Sequence, residues 1–188
     1  ALEPLNHFVA AERWLAHPTA GARLDAVSTV RNEMPAETFL ELALWYVGAA
    51  RLDDADRVLA LAPPVAMVLY WRAYLHHQLG EADTTARVAD AERATPRFVF
   101  PFRPESAEML RWAAAASSNW KAGYYLALCE WANGDSAAAH RGLVALADRP
   151  DLASFYAARA SFAGTDAAAA RADLERAAVL DPGEWRFG

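Results

Sequence analysis

A period constrains this chain more than any single motif. Between Trp120 and Pro182 two helical hairpins lie end to end, each with a small corner and a proline stop. The corners are Gly134-Asp135 and Gly164-Thr165-Asp166, and the stops are Pro150 and Pro182. From Gly134 to Gly164 is 30 residues, and from Pro150 to Pro182 is 32. Repeats of this length built from two helices cannot each bury an apolar face alone, so they stack. The expected fold is therefore all-α, a curved solenoid of paired helices.

The pattern extends towards the N-terminus. Pro4 to His17 carries Leu5, Phe8, Val9 and Leu15 at helical spacing, and Pro18 stops it. Thr19 to Arg31 is a weaker helix through Leu24, Val27 and Val30, broken by Asn32-Glu33-Met34-Pro35. Ala36 to Ala50 is apolar on most of its circumference, which suits a helix buried between neighbours. The next helix opens on Asp53, Asp54 and Asp56, acids that complement the helix dipole, and ends at Pro63-Pro64. Val65 to Leu79 turns at Gly80-Glu81 into Ala82 to Ala94, which closes at Thr95-Pro96. Pro63 to Pro96 is 33 residues, again the period, but Pro96 to Pro150 is 54. The surplus holds Phe98-Val99-Phe100-Pro101-Phe102-Arg103-Pro104, then a helix from Glu105 to about Ser117. Prolines at 96, 101 and 104 make the first part extended, and Phe98, Phe100 and Phe102 alternate along it. Such a segment is either a strap packed between repeat pairs or an edge facing a ligand. The expected units are 4–31, 36–62, 65–95, strap and extra helix 96–117, 119–149 and 151–181, with 182–188 opening a further repeat. That is about eleven antiparallel helices in one domain over 1–188.

Several positions resemble the tetratricopeptide (TPR) consensus. Ala139 and Ala170 stand where its hairpins close, Ala158 stands within a first helix, and Ala177 precedes the Leu180-Asp181-Pro182 ending; Ala55 and Ala73 play similar parts earlier. The Trp usual at the start of a first helix is replaced by Gly123 and Ser154. This resemblance implies a right-handed α-solenoid with its concave face lined by first helices. A second resemblance spans most of the chain: PLNHF at 4–8, RNEMPAETFLELALWY at 31–46, FPFRPE at 100–105, WKAGYYLAL at 120–128, PDLASFYAARA at 150–160 and the terminal LDPGEWR. These strings are similar to a bacterial family of TPR-containing proteins whose N-terminal region resembles galactose-mutarotase β-sandwiches. It implies a larger cytoplasmic parent linked to carbohydrate metabolism, with any catalytic site in the sandwich, and supplies no catalytic or ligand residues for this segment. The ends, Ala1-Leu2-Glu3-Pro4 and Trp185-Arg186-Phe187-Gly188, likewise read as cut from something longer.

Composition excludes several roles. The 24 acids outweigh 18 bases for a net charge of −6, and Lys121 is the only lysine, so no basic stripe exists to neutralise phosphates. No nucleic-acid partner is expected. The longest uncharged run, Val58 to Trp71, contains Pro63-Pro64 and is too short for a membrane span. The single cysteine rules out an internal disulfide and a cysteine-rich zinc site.

No catalytic motif appears, and neither cofactor nor metal is expected. His76 and His77 point about 100° apart on a helix and cannot chelate one ion together. Gly80 ends the helix between His77 and Glu81. Glu105 and Glu108 read as first-turn acids, and Cys129, among Leu126, Leu128 and Trp131, as a small buried thiol. The aromatic content is the stronger signal: seven Trp, six Tyr and eight Phe. In a TPR register the concave face would show Tyr70, Tyr74 and His77, then Tyr124 and Trp131, then Phe155 and Arg159. Such residues suit a peptide or carbohydrate groove, and equally suit packing between repeats rich in alanine. The expected function is a non-catalytic scaffold for a protein or peptide. The alternatives are a sugar-binding accessory region of a carbohydrate-active enzyme, and a spacer or dimerisation module.

Overall fold

Proline and glycine divide the chain much as the spacing predicts. Among the described residues, 7–28, 30 and 34–183, the computed structural model contains eleven α-helices and no strand. The helices gather into two compact units, and the chain passes from one to the other between Thr95 and Pro96, where the repeat rhythm breaks.

The first unit holds α1 (His7–Ala16), α2 (Ala20–Ser28), α3 (Pro35–Gly48), α4 (Leu52–Leu59), α5 (Ala66–Gln78) and α6 (Thr84–Arg93). Consecutive helices pair as α1 with α2, α3 with α4 and α5 with α6, while α4 also packs on α5. The core comes from helices apolar on most sides: Phe39, Leu40 and Tyr46 of α3, and Val68, Tyr70 and Trp71 of α5 are all buried. Ala55 and Ala73 are fully buried, and small side chains let neighbouring backbones approach.

The second unit holds α7 (Ser106–Ala116), α8 (Trp120–Ala132), α9 (Ser136–Ala145), α10 (Ala153–Ala160) and α11 (Ala167–Leu180). The helix expected to be odd, α7, packs on α8. Then α8 pairs with α9 and α10 with α11. Gly142 permits the close approach of α9 to α8, since a Cβ there would meet Ala127 Cβ at 3.2 Å. Asp135 and Asp166 cap α9 and α11 by accepting from the amides of Ala138 and Ala169 at 2.9 and 3.0 Å, which satisfies donors the helices cannot pair internally. The further repeat expected at 182–188 lies, from 184 on, outside the described residues, as do Asn32 and Glu33 of the expected break, while its Pro35 opens α3.

Three helices end in one corner geometry. After α5, the Gly80 amide donates to His77 O and the Glu81 amide to His76 O. After α8, Gly134 and Asp135 donate likewise to Trp131 O and Glu130 O; after α3, Ala50 and Arg51 donate to Val47 O and Tyr46 O. This is the Schellman arrangement, which needs a left-handed residue at the corner. Gly80 and Gly134 supply it at φ 76° and 89°, whereas Ala50 adopts φ 57° at a steric cost. After α5 and α3 the corner brings the next side chain back over its own helix, Glu81 to His76 and Arg51 over the Tyr46 ring.

Candidate functional site

The residues of the expected aromatic row divide by environment. Tyr70, Tyr124 and Phe155 are buried in the cores of their units, with 0–3% of their surface exposed. Tyr124 meets Phe155 edge-on at 5.8 Å between ring centroids, and its hydroxyl pairs with Ser154 Oγ at 3.2 Å. Burial, only partly relieved by that hydrogen bond, raises the Tyr124 hydroxyl above its ordinary pKa. Tyr74 is half-buried against Trp71, and His77 is exposed.

Arg159 is a clamp inside the second unit. Its Nε and Nη2 donate to Asp173 Oδ2 and Oδ1 at 2.9 and 2.6 Å, Nη2 donates to Asp148 Oδ1 at 2.8 Å, and Nη1 donates to Ala147 O at 2.6 Å. Its guanidinium carbon lies 5.1 Å from the Phe155 ring centre and 5.2 Å from that of Tyr156. The Asp173 pair, with help from Asp148, holds the guanidinium above its already high pKa. A side chain so committed has little left to offer a guest. Tyr70, Tyr124 and Phe155 pack inside their units because α5, α8 and α10 are apolar on more than one face, and Arg159 is held by its ion pairs.

Exposed aromatic surface lies elsewhere in the second unit. Phe98, Phe100 and Phe102 are 85%, 66% and 50% exposed, so the strap presents its aromatics to solvent. The strap is tied down by its carbonyls: Asn133 Nδ2 donates to Phe102 O at 3.0 Å, and Cys129 Sγ donates to Arg103 O at 3.3 Å. Arg103 stacks over the Phe102 ring at 4.8 Å. Asn133 is the C-cap of α8, whose last turn also carries Trp131, 39% exposed. Trp131 meets Phe162 edge-on at 4.8 Å, and the exposed His140 stacks on the other ring at 5.7 Å with planes 6° apart. Neither Phe162 nor His140 stood out in the sequence, because the contact joins α8, α9 and the turn after α10.

A polar cluster occupies the corner after α5 in the first unit. His76 is buried, its side chain 8% exposed, and three carboxylates surround it. Nδ1 lies 2.5 Å from Glu81 Oε2 and 3.6 Å from Asp83 Oδ1, and Nε2 lies 3.3 Å from Asp56 Oδ2. That last contact is off the hydrogen-bond axis. Arg72 grips Asp56 through both oxygens at 2.7 and 3.1 Å, and Arg87 Nε holds Asp83 Oδ2 at 2.8 Å. Burial works to raise the Asp56 carboxyl, but Arg72 and His76 outweigh it and hold it below the ordinary 3.8. Asp56 therefore does more than complement a helix dipole. The sequence reading tested His77 against Glu81; the corner instead returns Glu81 over His76, five residues back.

Cys129 is buried, and burial reinforced by the nearby Glu130 pushes its thiol pKa up, away from nucleophilic use. No helix among the described residues is long and apolar enough to cross a membrane. No protein-family model matches the chain, and no curated protein matches it.

Proposed function

We propose that this chain is a non-catalytic scaffold for a protein or peptide, receiving its partner on the exposed aromatics of the second unit. The carrying observation is the strap: three phenylalanines half to fully open to solvent on a segment anchored through its carbonyls. Solvent-facing apolar clusters mark interaction surfaces, and covering one phenylalanine is worth about 1.5–3 kcal/mol. The net charge of −6 favours a neutral or basic partner over nucleic acid. A TPR-like right-handed solenoid is the arrangement we favour within each unit, supported by the paired helices and the repeated corner. The family resemblance supports placing the chain in a larger cytoplasmic bacterial protein.

The sugar-binding alternative draws on the same surface, since exposed Trp131 and the phenylalanines offer flat faces for pyranose rings. Selection from a random peptide display library, run beside a glycan array, separates the two. The scaffold reading expects peptides that bind the full chain and lose binding in Phe98→Ser/Phe100→Ser/Phe102→Ser without a change in melting temperature. Glycan binding with no peptide selected would replace it with the sugar reading. Peptides that ignore the triple substitution would refute the strap as the site.

A further inference from the structure

We propose that the corner after α5 is a binding site for a divalent first-row transition ion of the zinc class, held by His76 Nδ1, Glu81 and Asp83. The argument begins with the imidazole's proton count. A neutral ring has one N–H and one lone pair, and here a carboxylate oxygen faces each nitrogen, Asp56 on one side and Glu81 with Asp83 on the other. Whichever tautomer the neutral ring adopts, one lone pair points at an anion. A metal cation seated between Nδ1 and the carboxylates of Glu81 and Asp83 would satisfy all three at once.

The two sides differ in access. On the Nε2 side Asp56 is only 16% exposed and both its oxygens are taken by Arg72, which leaves no room for an ion. Nε2 itself is buried 3.3 Å from Asp56 Oδ2 without a formed hydrogen bond, and a proton carried there leaves the Nδ1 lone pair facing Glu81 and Asp83. A carboxylate behind a ligating histidine orients the ring and raises its basicity. On the Nδ1 side Glu81 and Asp83 are 46% and 49% exposed, so an ion and its completing waters can enter. Arg87 occupies Asp83 Oδ2 and leaves Oδ1 turned to the histidine.

Distances and donor chemistry fit. The three ligand atoms lie within 4.8 Å of one another. Bonds of about 2.0–2.2 Å around a tetrahedral ion place ligand atoms roughly 3.3–3.5 Å apart. From the present 2.5 and 3.6 Å to Nδ1, Glu81 needs to retreat and Asp83 to close slightly, small torsional changes for half-exposed side chains. One imidazole and two carboxylates suit zinc, cobalt or nickel better than calcium or magnesium, which take oxygen sets. The ion would join the end of α5 to the N-cap of α6, since Asp83 is that cap.

The test is calorimetric titration of the full chain with zinc chloride, paralleled by cobalt(II) and its visible absorption. The expected result is one saturable site with proton release, and affinity at least about tenfold weaker in Glu81→Gln and weaker still in Glu81→Gln/Asp83→Asn. Those carboxylates are half-exposed, so both variants retain the fold, which circular dichroism checks; His76→Gln, where it folds, abolishes the site. Nitrogen-15 shifts of the ring should place the ion on Nδ1 of His76. Absence of saturable zinc binding, or equal affinity in wild type and Glu81→Gln/Asp83→Asn, overturns the proposal.

Discussion

Replacing Arg159 with alanine decides whether this side chain is a clamp or a ligand contact. The substitution deletes two bonds to Asp173, one to Asp148 and one to Ala147 O, and leaves Asp173, 13% exposed, without its cation. Breaking a buried pair from one side costs about 3–5 kcal/mol. The guanidinium is itself 19% exposed, which moves the figure to the lower end, and lost stacking on Phe155 and Tyr156 returns part of it. Arg159→Ala should therefore destabilise the second unit by about 3 kcal/mol. For a unit of this size that is a fall of roughly 12–24 °C in melting temperature. Arg159→Lys keeps the charge without the planar fork and should lose about half as much. The assay is thermal and urea unfolding followed by circular dichroism, completed as a double-mutant cycle with Asp173→Ala. A coupling of about 2 kcal/mol is expected. An Arg159→Ala variant that melts within about 2 °C of wild type would refute the clamp.

Three further outcomes follow from the same physics. Gly80→Ala should destabilise by about 1 kcal/mol although nothing lies within 4 Å of the added methyl, because φ 76° is strained for an L-residue; Ala50→Gly, at φ 57°, should stabilise by a similar amount, both read from urea midpoints. The Asp56 carboxyl is held below its ordinary value, so its contribution is present above about pH 4 and is lost as the pH falls through the lowered folded value; Asp56→Asn should flatten the acid limb of a stability–pH curve. Cys129, buried with a raised pKa, should resist an aromatic disulfide reagent at pH 8 in the native chain and react at once in urea.

Much of the architecture was legible because it rests on local chemistry. Gly134-Asp135 and Gly164-Thr165-Asp166 sit at corners, the aspartates cap the following helices, and eleven helices were expected where the described residues hold eleven. The site was less legible because it rests on contacts far apart in sequence. A repeat register assigns one face of each first helix to a groove, yet Tyr70 and Phe155 sit in helices that bury residues on more than one face. Arg159 finds Asp173 14 positions away on another helix, a partner that no local spacing reveals. His76 is discounted because it points about 100° from His77, and helical periodicity, which stops at Gly80, gives it no pairing with Glu81; the left-handed corner is what carries Glu81 back to it. The strap's prolines suggest an extended segment, but Arg97-Phe98 forms a turn with Phe98 at φ 59°, and the prolines do not show which way the phenylalanines face. Departures from the repeat consensus have structural uses: Ser154 pairs with Tyr124, and a Cβ on Gly123 would press on Leu146 Cδ2 at 3.2 Å.

The scaffold reading turns on which aromatics meet a partner. Fluorine NMR of the chain labelled with fluorophenylalanine and fluorotryptophan, titrated with a selected peptide, measures this directly. The expected result is saturable shifts at Phe98, Phe100, Phe102 and Trp131, with the buried Phe155 unmoved. Shifts at Phe155 that leave the strap silent would return the binding surface to the expected row and contradict the account.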